Sequence, residues 1–154
     1  HAMRDFAGGA MECLRSGYNL LLVDQRAHGE SEGLTICFGV KERRDVQSWV
    51  DYAVERFGDD VKIVLSGVSM GGATVLEASR LELKPNVKCV IADSPFSSPE
   101  DIIRRVCSDT VFPPSFAMPF VKLGALVYGR LRLGGGAIEA VKESRLPILR
   151  YSAG

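Results

Sequence analysis

The sequence lacks an excess of charge of either sign. Nineteen lysines and arginines balance nineteen aspartates and glutamates, so the 154 residues carry a formal net charge of zero. A neutral chain has no electrostatic footprint with which to attract the phosphates of DNA or RNA. We therefore expect no nucleic-acid partner.

Residues that bind metal ions are also scarce. The sequence contains two histidines, His1 and His28, and no C-x-x-C pair. No histidine pair stands at the spacing that favours a shared metal ion, so we expect neither a metal nor a cofactor. Buried, reduced thiols, as in proteins of the cytosol, are expected at the four cysteines, Cys13, Cys37, Cys89 and Cys107.

Long apolar runs are absent as well. The longest, residues 115–129, is too short to cross a bilayer and contains Lys122. Residues 1–12 do not show the basic and apolar regions of a signal peptide. These features predict a cytoplasmic protein, and a membrane anchor upstream of this sequence is the alternative left open.

The composition is that of a globular protein with a sizeable core, at 46% hydrophobic and 25% charged residues. Apolar runs alternate with amphipathic stretches, which predicts an α/β fold with a mainly parallel sheet flanked by helices. Strands are predicted at residues 18–24, 61–66, 87–93 and 146–151. Helices are predicted at residues 3–16, 41–57, 70–83 and 137–144, with a further helix beginning at Ser98-Pro99.

The second predicted helix carries a dense run of charges. Its apolar positions recur at helical spacing, whereas the charged residues lie largely elsewhere on the helix. We interpret this run as a solvated face rather than a binding patch. It comprises Glu42, Arg43, Arg44, Asp51 and Glu55.

The pattern G-x-S-x-G occurs between a predicted strand and a predicted helix. Its serine is Ser69, flanked by Gly67 and Gly71. A sharp strand-to-helix turn would project the Ser69 hydroxyl above the sheet and leave little room for side chains at both glycines. Gly72 would let the helix approach the strand, and the Met70 N–H would point at the oxyanion of an attacked carbonyl. The pattern predicts a catalytic nucleophile, and a packing turn is the alternative.

Two further stretches accompany this turn. Residues 24–31 read D-x-R-x-H-G-x-S, and residues 92–96 read Ala-Asp-Ser-Pro-Phe and lead into a segment rich in Pro, Gly and apolar residues. With the Ser69 turn, they resemble in family order an α/β-hydrolase, in particular the microbial serine hydrolases of the serine aminopeptidase and monoglyceride-lipase group. The resemblance implies one partial α/β-hydrolase domain over residues 1–154, with a small helical lid insertion at about residues 99–144.

The resemblance also shows what this sequence does not contain. In the family, an Asp or Glu and then a His follow the nucleophile, but both histidines here precede Ser69. The upstream H-G oxyanion loop and the first three strands have no counterpart either. Asp93 is a candidate for the acid, with a loop-fixing role as the alternative. The resemblance implies an architectural role for Asp24, Arg26 and His28, with two alternatives: His28 as the base, or a substrate contact. We hypothesise a truncated gene product or partial sequence.

A missing strand has a consequence for the sheet. By resemblance, the family's third strand belongs between residues 18–24 and 61–66, and its absence leaves a gap of roughly 9.6 Å between two predicted strands. Either these strands pair directly, or another chain fills the gap, or the fold is poorly stable. Self-association through unpaired sheet edges is therefore one expectation.

Two functions remain in competition. The first is a serine hydrolase core that acts on a small-molecule carboxylic ester or other acyl substrate through Ser69, with slow turnover because the acid and the base are missing. Within it, the apolar segment 111–133 favours an acyl group, or simply covers the sheet edge. The second function is a catalytically inactive binding or interaction module that uses the former substrate pocket of the hydrolase fold.

Overall fold

The computed structural model describes residues 6–108, 114–127 and 136–151. The chain divides into two compact units, His1–Ile36 and Cys37–Gly154. Among the described residues, no helix is long and apolar enough to cross a membrane.

The first unit contains helix α1, Ala7–Arg15. Gly17 follows the helix, and its φ of +84° lies in the left-handed region. The Gly17 N–H donates to the Leu14 carbonyl and the Tyr18 N–H to the Cys13 carbonyl, both at 3.0 Å. This pair of bonds is a Schellman motif, and it ends the helix at Arg15, one residue before the predicted end.

The strand predicted at residues 18–24 is wrong. These residues form no strand, and the side chains of Leu21 and Leu22 are 46% and 37% exposed. An apolar run becomes a strand only where a neighbouring strand supplies hydrogen-bond partners. No neighbour pairs with this run in the described part of the chain, which holds one sheet of three strands.

The described residues of the second unit form three strands and five helices. In chain order they are α2 Glu42–Phe57, β1 Ile63–Val68, α3 Met70–Ala78, β2 Val87–Asp93, α4 Pro99–Ser108, α5 Pro114–Val127, α6 Ala137–Glu143 and β3 Ile148–Tyr151. Helix α3 ends at Ala78, five residues earlier than predicted, and beyond it the N–H groups of Arg80 and Leu81 donate to carbonyls three rather than four residues back. The residues predicted to form a lid, 99–144, contain α4, α5, which includes Pro119, and α6.

The sheet is parallel, with the order β1-β2-β3. Leu65 of β1 pairs in register with Val90 of β2, which pairs with Ile148 of β3. One face of the sheet packs on helices α3 and α6. The core on this face comprises Val75, Leu76, Val90, Ala92, Ala137 and Ala140.

The opposite face of the sheet is solvent-exposed. Successive side chains of a strand point to opposite faces, so the residues that alternate with the core lie here. Among them are Val64, Val68, Leu149 and Tyr151, all exposed. Of the cysteines whose side chains are described, Cys37 is buried, but Cys13 and Cys89 are only half-buried, which corrects the expectation that all are buried.

Glu42 corrects the prediction of a solvated charged face on α2. Its side chain is fully buried, and its carboxylate accepts the N–H groups of Cys37 at 2.6 Å and Gly39 at 2.9 Å. Arg43 also turns inward, toward the buried carboxylate of Glu77 at 3.2 Å. The backbone preceding α2 has donors without helical partners, and the carboxylate of the first residue of the helix reaches back to satisfy them.

Candidate active site

Ser69 occupies the turn between β1 and α3. Its φ is +51° and its ψ is −111°, outside the three regions that residues other than glycine favour. Its side chain is exposed. A conformation of this kind costs about 1–3 kcal/mol and persists where the surrounding structure enforces it, often at functional sites.

Gly67 and Gly72 allow the helix and the strand to meet at this turn. A Cβ placed on Gly67 would overlap the backbone carbonyl group of Gly71 and lie 2.7 Å from Gly72 N. A Cβ on Gly72 would lie 3.0 Å from the Gly67 carbonyl oxygen and 3.1 Å from that of Asp93. Space therefore requires glycine at residue 67 and strongly favours it at residue 72, as predicted.

The reason predicted for Gly71 is wrong. A Cβ on Gly71 would meet nothing within 4 Å, so crowding does not require a glycine there. The close contact lies between the backbone of Gly71 and the position that a side chain of residue 67 would occupy. The two outer glycines of the motif thus have different roles in this structure.

Hydrogen bonds fix the main chain on both sides of Ser69. The Ser69 N–H donates to the Asp93 carbonyl at 2.8 Å, and the Ser69 carbonyl accepts the Ala73 N–H at 3.0 Å. Met70 is the first residue of α3, where a backbone N–H has no partner inside the helix. The turn therefore presents an exposed hydroxyl next to a helix N-terminus, an arrangement that favours developing negative charge.

Asp93 lies at the same carboxyl edge of the sheet, at the end of β2. Its carboxylate Oδ1 accepts the Ser94 hydroxyl at 2.9 Å. Its carbonyl holds the Ser69 N–H, so the structure connects the candidate acid to Ser69 through the backbone. The unit Cys37–Gly154 contains no histidine, so none of its residues forms the histidine pair that an orienting acid needs.

The D-x-R-x-H-G-x-S loop lies in the first unit. His28 Nδ1 is 2.9 Å from the Arg26 carbonyl, so that nitrogen carries the hydrogen and donates it. The Ser31 hydroxyl donates to the Asp24 carbonyl at 2.7 Å, and Ala27 has a φ of +59°. These contacts make a compact loop, and the architectural role of Asp24, Arg26 and His28 stays a prediction.

The part that Ser94 takes in the geometry of this edge is not among the sequence predictions. Its φ is +46°, although it is not a glycine and precedes Pro95, which ordinarily biases the preceding residue to extended conformations. A serine before a proline at the end of a predicted strand was the available signal.

No group of three or more His, Cys, Asp or Glu side chains that could hold a metal ion occurs among the residues whose positions the structure gives. The edge formed by Ser69, Met70 and Asp93 presents a hydroxyl, a carboxylate and backbone N–H groups.

Two solved structures and one curated protein are among those that resemble this chain. The structures are two crystal forms of the esterase Pf2001 from Pyrococcus furiosus, at 25% and 26% identity and TM-scores of 0.62 and 0.63. They match 90% and 97% of this chain, which covers 50% and 53% of theirs. The uncharacterized protein YqkD of Bacillus subtilis is 32% identical over 81 residues, which are 53% of this chain and 27% of YqkD.

The chain thus spans about half the length of the Pf2001 structures and about a quarter of YqkD. The model of the alpha/beta hydrolase fold family matches residues 3–122. This match contains the Ser69 turn, the parallel sheet edge at Asp93 and the loop at His28. With most of its length matched, the chain belongs to the alpha/beta hydrolase fold family.

Proposed function

We propose that Ser69 is the nucleophile of a hydrolase that acts on carboxylic esters of small molecules. The observation that carries this proposal is the strained backbone of Ser69, with a φ of +51°, at an exposed strand-to-helix turn. The likeness to the esterase Pf2001 supports an ester as the substrate. Ser69 Oγ would attack the carbonyl carbon and form an acyl-enzyme with loss of the alcohol.

The Met70 N–H would stabilise the oxyanion of the tetrahedral intermediate. It begins α3, so its hydrogen-bonding capacity is not used within the helix, and the positive end of the helix dipole lies beside it. One such donor contributes about 2.7–4 kcal/mol to transition-state stabilisation in enzymes of this chemistry. The amide nitrogen belongs to the backbone, so the residue type at position 70 matters less than the turn geometry.

The apolar surface of α5 supports an acyl or otherwise apolar substrate group. Phe120, Leu123, Leu126 and Val127 are exposed along this helix, which belongs to the proposed lid of residues 99–144. Part of this lid lies outside the described residues. Covering the sheet edge is the other role that we consider for this surface.

A carboxylate joins helices α4 and α5 of the proposed lid. Glu100 of α4 accepts hydrogen bonds from Lys122 of α5 at 3.1 Å and from Arg104 at 3.0 Å. These bonds hold the pKa of the Glu100 carboxyl below its usual range, so the link between α4 and α5 persists to lower pH than an unpaired glutamate would allow.

A fluorophosphonate probe tests the nucleophile. We expect the purified chain to acquire one adduct at Ser69, detected by intact-mass and peptide mass spectrometry, and Ser69→Ala to acquire none. Labelling should be slower by several orders of magnitude than in a complete triad, because the unit that holds Ser69 has no histidine base.

The control for this labelling is Ser97→Ala, which removes another exposed hydroxyl of the same unit and should leave the adduct at Ser69 intact. If the wild-type chain and Ser69→Ala remain equally unlabelled after prolonged incubation, the result favours the second hypothesis, an inactive binding module.

We also propose that the chain self-associates through the edge of its sheet. Strand β1 has one neighbour in the described sheet, and the unpaired backbone groups of an edge strand are a template for another strand. The zero net charge offers no long-range repulsion between copies.

A lysine on β1 tests this association. Val64→Lys places a charge on the edge strand at a residue that is 42% exposed, and such charges oppose edge pairing. Sedimentation velocity should show a concentration-dependent dimer for the wild type and a monomer for Val64→Lys. Val141→Lys, at a 41% exposed residue of helix α6, is the matched control and should still dimerise; a wild-type monomer at all concentrations would refute the proposal.

A further inference from the structure

Strands β1 and β2 end in the same way. Each is followed at once by a serine with positive φ, Ser69 at +51° after β1 and Ser94 at +46° after β2. Each serine donates its N–H to the last residue of the next strand, Ser69 to the Asp93 carbonyl and Ser94 to the Tyr151 carbonyl, both at 2.8 Å. The two turns are consecutive steps of one hydrogen-bonded edge.

The Asp93 carbonyl connects these two steps. It accepts the Ser69 N–H, and it lies so close to α3 that a Cβ on Gly72 would be 3.1 Å from its oxygen. This carbonyl belongs to the peptide plane between Asp93 and Ser94, so its direction is coupled to the φ of Ser94. A change in the Ser94 conformation would therefore move the acceptor of the Ser69 N–H.

Two contacts hold Ser94 in this unfavourable conformation. Its hydroxyl donates to the Asp93 carboxylate at 2.9 Å, a charge-assisted bond of the stronger kind. Its N–H is bonded to β3 through Tyr151. Because Pro95 is buried, the chain that follows is anchored as well.

We propose that Ser94 is a positioning residue for Ser69. Its left-handed turn, tied to the Asp93 carboxylate, aims the Asp93 carbonyl at the Ser69 N–H and so enforces the strained backbone of the Ser69 turn. This inference rests on the proposed role of Ser69 for its functional meaning, but its structural part stands independently of any reaction.

Amide hydrogen exchange, followed by NMR in the full chain, tests the structural part. Ser94→Val introduces a β-branched side chain, for which positive φ is a genuine outlier. We expect the protection of the Ser69 amide to fall by about tenfold or more, within the range that the strain of one such residue implies. The Val90 amide, bonded to the Pro147 carbonyl at 3.0 Å, should keep its protection.

Milder variants keep the test valid if Ser94→Val does not fold. Ser94→Ala removes only the hydroxyl and should lower the protection of the Ser69 amide less than Ser94→Val does. Positive φ carries no penalty for glycine, so Ser94→Gly should also retain more of this protection than Ser94→Val does. Ser97→Ala, which alters a neighbouring exposed serine, should change nothing. Equal loss of protection at Ser69 and Val90, or no loss at Ser69 in either the valine or the alanine variant, would overturn the proposal.

Fluorophosphonate labelling of the same variants tests the functional part. The labelling rate should follow the protection of the Ser69 amide across the series. Where the rate falls, the maximal rate of inactivation should decrease and the affinity for the probe should not change. Selective loss of protection at Ser69 in a chain that is never labelled would support the positioning role while refuting the nucleophile. Labelling rates that stay constant while Ser69 protection falls would overturn the positioning role.

Discussion

Gly67→Ala is expected to destabilise the protein by more than about 4 kcal/mol, a loss reserved for severe steric or cavity effects. The added methyl group would overlap the Gly71 carbonyl and crowd Gly72 N, and these are backbone atoms that cannot rotate away. Relief requires α3 to separate from β1, which dismantles the turn at Ser69. Thermal unfolding followed by circular dichroism should show a large decrease in the midpoint, and phosphonate labelling of Ser69 should be lost.

The matched control is Gly71→Ala, the same chemical change four residues later. Its methyl group would meet no atom within 4 Å, and alanine favours a helix over glycine by about 0.8–1.0 kcal/mol. We expect unchanged or slightly increased stability. If the two variants were equally destabilised, crowding of a side chain at residue 67 against the Gly71 backbone could not be the cause.

Glu42→Ala should be the second strongly destabilising change, at about 3–5 kcal/mol. The substitution leaves the N–H groups of Cys37 and Gly39 without their acceptor, and each unsatisfied buried donor costs about 1–3 kcal/mol. It also leaves a cavity at a fully buried position. Urea unfolding, monitored by the fluorescence of Trp49, measures the difference.

Glu55→Ala on the same helix is the control for this change, because Glu55 is exposed and should shift stability by no more than about 0.5 kcal/mol. Glu42→Gln keeps one acceptor oxygen, so its free energy of unfolding should lie between those of Glu42→Ala and Glu55→Ala. Equal stability of the two alanine variants would show that the Glu42 carboxylate does not hold the loop.

Much of the site can be predicted from local sequence, because the G-x-S-x-G turn is formed by consecutive residues. The exact start of β2 at Val87 and the position of Ser69 between a strand and a helix could be predicted from short patterns. The failure at residues 18–24 arose because strand formation depends on a partner that the local sequence does not specify. Glu42 was misjudged for a related reason: helical spacing assigns faces, but it cannot reveal that a loop folds back over a charge.

The distinction between Gly67 and Gly71 could not be predicted either. Both residues occupy symmetric places in the motif, and the sequence treats them alike. The path of α3 over the end of β1 decides the difference. A side chain on Gly67 would point at the backbone of α3, whereas a side chain on Gly71 would point at open space. Steric necessity at a motif glycine is thus a three-dimensional property of its surroundings.

The hydrogen bond from Ser69 to Asp93 has a consequence for the order of folding. Residues 67–72 cannot acquire their strained turn alone, because its acceptor arrives on a strand about two dozen residues later in the chain. Closing that loop lowers the conformational entropy of the chain before the contacts between the two strands can stabilise it. The turn should therefore form late on the folding pathway. In kinetic φ-value analysis, the ratio of the change in folding activation energy to the change in stability should be low for substitutions at Gly72. It should be higher for substitutions within the β1–β2 core at Leu65 and Val90.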